Sequence, residues 1–538
     1  MNRSTFLSMA SATAMLAAGA VQAADVPDGV TLADNQTFSY RELDQFASID
    51  PQLIEGVPGS HAARQLFEGL MNQDENGDLV PGVATGFEVN DDNTVYTFTL
   101  RDNARWSNGE PVTAGDFVYA WRRAADPATA SSYAWFVELS GIVNAAEIIA
   151  GEMEPDALGV EAVDATTLRV TLTGPKPYFP LMTTHTTLFP TPQATIEEHG
   201  DNWLDPENIV SNGAYTLSEV SLNEFWSATK NPEYWDAENT VIEEVTSYVI
   251  NDTSQALTRW EADEFDLLEP VPAGTFPRLQ EEYPDAAHST PRLCSYYYTL
   301  NQGEGGPEAL KDARVRRALG LAIDREIITD RILQGGQTPA FSFTPDATSG
   351  FSAPEIEYAG WTQAERDEEA KRLWDEAGFT DVNLDLLYNT DESHRQIATV
   401  ISQMWSQKLG VETTLENQEW STYLETRRAG GFDVARAAWC GDYNEASTFL
   451  DLLTTGVPQN SGKFSNEEYD NLIASATTAE NPQEAYTAAE QVLAQEMPII
   501  PIYHYANSFL LDPTLKGFPM NNVENNWYVK DFYRVAED

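Results

Sequence analysis

Cysteine, lysine, histidine and long apolar runs are all scarce in this 538-residue chain, and each scarcity excludes something. Past the N-terminal segment no apolar run approaches the ~20 residues of a membrane span. The six histidines (His61, His185, His199, His288, His394, His504) include no pair at metal-ligand spacing. A Walker loop, a Gly-x-Gly-x-x-Gly turn after a strand, His-Glu-x-x-His and Gly-x-Ser-x-Gly are missing. No metal or cofactor is expected, and no enzyme chemistry is signalled. A secreted hydrolase using two of the many carboxylates stays a distant alternative. Basic residues number 31 against 85 acidic ones, for a net charge of −54, and lysine supplies only eight of the 31. Such a chain repels nucleic acid and anionic membranes.

The acids are spread along the whole chain, which fits a salt-adapted, strongly hydrated surface better than a cation-binding tail. Residues 1–23 carry Arg3, an apolar run from Phe6 to Ala20 without acids, and small residues at Val21-Gln22-Ala23. This is the pattern of a cleaved secretory signal. The first cysteine is Cys294, so lipid anchoring is excluded and a Gram-negative periplasm is the expected compartment. Two cysteines in an exported chain suggest one disulfide, Cys294 to Cys440, with two buried thiols as the alternative.

Most of the chain reads as alternating strands and helices. Thr37–Tyr40, Thr94–Leu100, Thr167–Leu172, Ala214–Leu217, Phe225–Ala228 and Thr246–Ile250 read as strands. Gly56 and Pro58 predict an extended Ile54–Pro58, with helix from Ser60. Pro307–Leu333 reads as one long helix. Thr362 and Glu365 form a capping box for a helix ending at Gly378. Ile397, Val400, Ile401, Met404 and Trp405 make a helical stripe closed by Gly410. Ser465 with Glu468 is expected to cap another helix. The order strand 384–388, helix, strand 411–416, helix 422–428, strand 432–439 is a βαβαβ pattern with parallel strands. Ligands of such sheets sit at the carboxyl ends of strands.

The last of these strands is the unusual one. Phe432-Asp-Val-Ala-Arg-Ala-Ala-Trp-Cys440 is mostly apolar, yet it contains Arg436 and delivers Asp442 just past its tip. Charges are seldom buried without partners. The two charges could bracket a zwitterionic ligand; an ion-paired strand arginine and a turn aspartate are the plainer reading.

Several runs carry a resemblance to a known family. Leu-Phe-Glu-Gly-Leu (66–70), Pro-Gly-Val-Ala (81–84), residues 100–121, Ile-Val-Ser-Asn-Gly-Ala-Tyr (209–215), Leu-Glu-Asn-Gln-Glu-Trp (415–420) and Phe432 to Glu445 resemble the oligopeptide-binding (OppA-type) branch of the peptide/nickel solute-binding proteins, family 5, of ABC importers. The resemblance implies an α/β, periplasmic-binding-protein-like fold (type II, cluster C), with two lobes around a hinge and an extra third domain. It implies lobe I from 24–67, 192–293 and 510–538, an extra domain II from 68–191, and lobe III from 294–509. It implies a monomer that holds short peptides and passes them to an inner-membrane ABC permease.

The resemblance also implies a site. A peptide would lie as an added strand between Glu55-Gly56-Val57 and Ala438-Trp439-Cys440. Asp442 would meet its α-ammonium. Arg436, Arg427 and His394 would take its carboxylate. Hydrated side-chain pockets would lie near Tyr297, Trp420 and Trp439. A murein tripeptide or another small solute is the alternative ligand. Four features depart from the family pattern: Ala438 where Gly is usual, Gly441 where Ala is usual, Leu333 where a basic residue can assist, and Glu304-Gly305-Gly306 as a short insertion. The charge makes a separate prediction. The midpoint of chemical unfolding should rise as salt is added to dilute buffer; a midpoint indifferent to salt would count against a salt-adapted surface.

Overall fold

A computed structural model describes residues 24–477, 479 and 481–536; the expected signal segment 1–23 lies outside the described residues. Among the described residues no helix is long and apolar enough to cross a membrane. One mixed sheet runs through most of the molecule. Its strands follow the order Glu412–Gln418, Asn383–Asn389, Val434–Cys440, Ala287–Leu300, Ile499–Leu511, Leu267–Leu268, Thr37–Glu42, Glu244–Val249, Phe225–Lys230 and Tyr215–Ser221. A separate four-stranded sheet is built from Ala84–Val89, Val95–Leu100, Thr167–Thr171 and Val160–Asp164.

The expected parallel unit forms. Asn383–Asn389 pairs in parallel with both Glu412–Gln418 and Val434–Cys440, and helices Glu392–Leu409 and Trp420–Arg428 make the crossovers. Leu384, Leu386, Ile397, Ile401 and Trp405 meet in one buried cluster, which explains their spacing. Leu387, Tyr423 and Ala435 form a second, smaller one on the opposite face. Thr362 and Glu365 do close a capping box, and Gly378 and Gly410 end their helices with φ of 73° and 72°.

Ala287–Leu300 and Ile499–Leu511 are the longest strands, at 14 and 13 residues. Their mutual ladder is broken between Pro291 and Ser295, with a further register shift at Tyr296/Tyr297. Ahead of the break they adjoin the strands that continue to Thr37–Glu42; past it Ala287–Leu300 adjoins Val434–Cys440. Such a break lets two halves of a sheet twist independently.

Three local expectations fail for identifiable reasons. Pro307–Leu333 is not one helix. It is divided into Glu308–Lys311, Ala313–Leu321, Arg325–Ile327 and a final wide turn, because Asp312 and Asp324 each accept a main-chain N–H as caps in mid-segment. The 54–58 stretch is extended only to Gly56, whose φ is 101°; helix begins at Val57, and Pro58 sits in its first turn where no N–H is needed. Asn466, not Ser465, caps Glu467–Ala476, accepting from the Tyr469 N–H at 3.0 Å.

Cys294 and Cys440 stand opposite each other in the ladder and form the disulfide, with Cα atoms 4.0 Å apart across a sequence separation of 146. Closing so long a loop contributes at most about 5 kcal/mol in the chain-entropy account. Replacing both cysteines by serine should lower unfolding stability by up to that amount, measured by denaturant titration. Stability equal to the parent's would show that the ladder alone fixes the two strands.

Candidate functional site

Strand Val434–Cys440 is buried over its first four residues and half-buried from Ala438 to Cys440. One edge pairs with Ala287–Leu300 along its whole length. The other edge pairs with Asn383–Asn389 only at Val434 and Ala435. From Arg436 to Cys440 no strand among the described residues covers that edge. Strand edges left this way offer main-chain donors and acceptors to another chain.

A positive pole lies at the start of the open edge. Arg436 is 7% exposed. Its Nη1 donates to Asn389 Oδ1 at 3.2 Å and its Nη2 to the Tyr505 hydroxyl at 3.0 Å, while Nε is buried without a partner. The guanidinium stands 4.8 Å over the Tyr296 ring, a favourable cation–π distance. His394 lies in the first turn of its helix, where Asp391 caps its N–H at 3.1 Å. Burial, then the charge of Arg436, push His394 down to about 3 against the pull of Asp391. The imidazole is therefore neutral near pH 7, and Arg436 supplies the charge. Arg427 donates from Nε to Ser461 Oγ at 3.3 Å.

A negative pole lies past the strand tip. The Asp442 N–H donates to Thr448 Oγ1 at 3.0 Å, and Oδ2 is out of solvent without a partner. Its Oδ1 is 3.6 Å from His185 Nε2. That contact is not an ion pair, because burial, then Arg64, hold His185 at about 3. Burial, then the charge of Glu524, raise Asp442 to about 8, with Arg64 opposing. Six residue steps of extended chain set an upper bound of about 20 Å between the α-carbons of Arg436 and Asp442.

Segments distant in sequence make contact near this strand. Glu55 Oε1 accepts from Arg428 Nη2 at 2.7 Å, an exposed ion pair that joins the Glu55-Gly56-Val57 segment to the helix before the site strand. Trp439 packs against Trp135 at 5.9 Å, and its indole N–H is buried without a partner. Tyr443 stacks on Tyr178 at 5.6 Å. Tyr297 turns its ring into the core, edge-on to Phe343, so it lines no roomy pocket. Trp420, 46% exposed, stacks on Tyr423. Ala438 faces Tyr296 across the ladder and is half-buried.

Sequence reading missed His185, Arg64, Glu524, Asn389 and Tyr505. Arg64 and His185 sit in segments that read as ordinary helix and loop, and Glu524 is one acid among many. Only the fold collects them.

A strand with one open edge between a buried guanidinium and a buried carboxyl, in one long mixed sheet, fits a solute-binding protein of the type II periplasmic class, the fold of the solved relatives. The chain belongs to the bacterial extracellular solute-binding proteins, family 5, whose middle region matches residues 78–461. It is a periplasmic binding protein and not an enzyme. It is 45% identical over 520 residues to the periplasmic murein peptide-binding protein MppA of Escherichia coli, covering 95% of this chain and 96% of that one. It is 43% identical to the periplasmic oligopeptide-binding protein OppA of Salmonella typhimurium, covering 97% of each. A solved structure of the E. coli murein tripeptide binding protein MppA superimposes with a TM-score of 0.89 at 43% identity, over 94% of this chain and 100% of that one. The unliganded open form of MppA gives 0.74 at 43% identity, over 95% and 99%. The present structure is thus more similar to the first of these than to the open form.

The raised carboxyl of Asp442 makes a signed prediction. A pKa raised on folding stabilises the fold below the unfolded value, and that contribution is lost as pH climbs through the folded value. The ligand-free Asp442→Asn variant should therefore gain stability relative to the parent as pH rises from about 4 to 8. A difference that stays constant across this range would mean Asp442 is not perturbed.

Proposed function

We propose that the protein captures short peptides and delivers them to an inner-membrane ABC permease. The open edge of the strand from Arg436 to Cys440 is the observation that carries this reading. A peptide laid along it would satisfy main-chain groups in a manner common to all sequences. Asp442 would take the α-ammonium. Arg436, with the neutral His394 beside it, would take a carboxylate, and Arg427 would serve ligands of a different length. Glu55-Gly56-Val57 would supply the facing wall, and Trp420 and Trp439 the surroundings of the side chains, whereas Tyr297, turned into the core, would not take part. Lobe I (24–67, 192–293, 510–538) and lobe III (294–509) would close around the break in the two long strands, with 68–191 as the extra domain.

Within this class two ligands compete. Murein tripeptide is favoured over general oligopeptides, because the higher identity and the TM-score of 0.89 both point to murein-peptide binders. General oligopeptides remain the second reading, supported by the 43% identity to an oligopeptide-binding protein over nearly the whole chain.

Mass spectrometry of ligand released from natively purified, denatured protein separates these. Murein tripeptide alone supports the first reading and a ladder of mixed peptides the second; a single non-peptide solute would overturn both. Asp442→Ala should weaken peptide binding by a few kcal/mol, since it strands a buried ammonium. Titration calorimetry showing unchanged affinity would remove Asp442 from the site.

A further inference from the structure

Glu524 belongs to a C-terminal loop far in sequence from Asp442, yet the fold brings them to the same pole. Val523 O accepts from the Leu293 N–H at 2.6 Å, which pins the loop against the strand bearing Cys294. The Gly441 N–H donates to the carbonyl of the same Leu293 at 2.8 Å, so both acids hang from one residue. Glu524 Oε2 accepts from Asn526 Nδ2 at 3.0 Å, and Oε1 is out of solvent without a partner. Asp442 Oδ2 is in the same condition.

The charges at this pole do not balance. Arg64 is the cation that acts on both carboxylates. It is 5% exposed, donates from Nη1 to Thr184 O and the Tyr528 hydroxyl, and leaves Nε buried without a partner. Lys530, across Tyr528, is paired with Asp531 at 2.6 Å. His185 is neutral. Tyr133, stacked on His185, is held protonated by burial and then by the charge of Asp442. Two carboxylates against one guanidinium leave one negative charge uncompensated in a place that excludes water, at high cost unless something cancels it. A proton on either acid would cancel it. Burial raises Glu524 to about 7, against Gln73, Arg64, the Asn444 N–H and Asn526.

Resting on the peptide-binding reading above, we propose that Glu524 is a second ligand-facing carboxylate, and that the ligand's ammonium is held between Glu524 and Asp442 in exchange for a proton. One ammonium brings the pole to neutrality. The pair thus selects for a free amino group, and binding releases up to about one proton near neutral pH.

The test compares a tripeptide bearing a free N-terminus with its N-acetylated counterpart on the full mature chain, by titration calorimetry in two buffers of different ionisation enthalpy. The parent should favour the free amine and release a proton. Glu524→Gln keeps the shape and an oxygen to accept from Asn526, but should lose tenfold or more of the preference and most of the proton release. Glu524→Asp, which keeps the charge, should recover part of both. If Glu524→Gln retains the parent's preference and proton release, the inference falls while the peptide-binding reading stands. If the parent binds neither that peptide nor murein tripeptide, the peptide-binding reading falls and takes the inference with it.

Discussion

The ladder along Ala287–Leu300 is the constraint on which the rest depends. Its residues from Leu293 to Leu300 are all buried, and it hydrogen-bonds to Val434–Cys440 on one side and Ile499–Leu511 on the other. Because a strand has only two edges, the site strand must find its second partner elsewhere. It finds one for two residues and then runs on uncovered. The disulfide between Cys294 and Cys440 holds that uncovered part in register on its paired side. A binding edge is useful only if its own position is fixed, and here a covalent bond fixes it one step before the turn to Asp442.

Charge accounting explains the two ends. Burying a guanidinium beside tyrosines and an asparagine works because these supply acceptors and a ring face without adding a net negative charge. Burying Asp442 beside a neutral His185 does the opposite: it leaves the acid without a paired cation, with only the field of Arg64 to offset lost solvation. A structure built only for stability would pair Arg436 with Asp442. Keeping them apart along one strand is costly for the empty protein and matches an object that carries both charges at its own ends.

Much of this was legible in the sequence where the signal is local. The capping box at Thr362, the stripe from Ile397 to Trp405 and the βαβαβ succession depend on residues a few positions apart, and each is found where it was expected. The 307–333 segment misled because its apolar content hides two aspartates that compete for the helix's own N–H groups. Arg436 and Asp442 stood out because a charge in an apolar strand breaks a pattern. His185, Arg64 and Glu524 break none, since each is ordinary in its own segment and gains meaning only from neighbours more than a hundred, three hundred or eighty residues away along the chain.

The contacts around Asp442 bear on what an empty molecule does. Tyr443, the next residue, is fully buried among side chains of the other half of the protein and stacked on Tyr178, while Trp439 rests on Trp135 and Glu55 reaches Arg428. None of these contacts requires a ligand. On the peptide-capture reading proposed above, a closed arrangement would be partly self-supporting, and a ligand would move the balance only by what it adds beyond these contacts. Tightness of closure and tightness of binding become separately adjustable quantities. On that reading, a change at Tyr178 or Arg428 would alter how often the vacant protein is shut without altering Arg436 or Asp442 themselves.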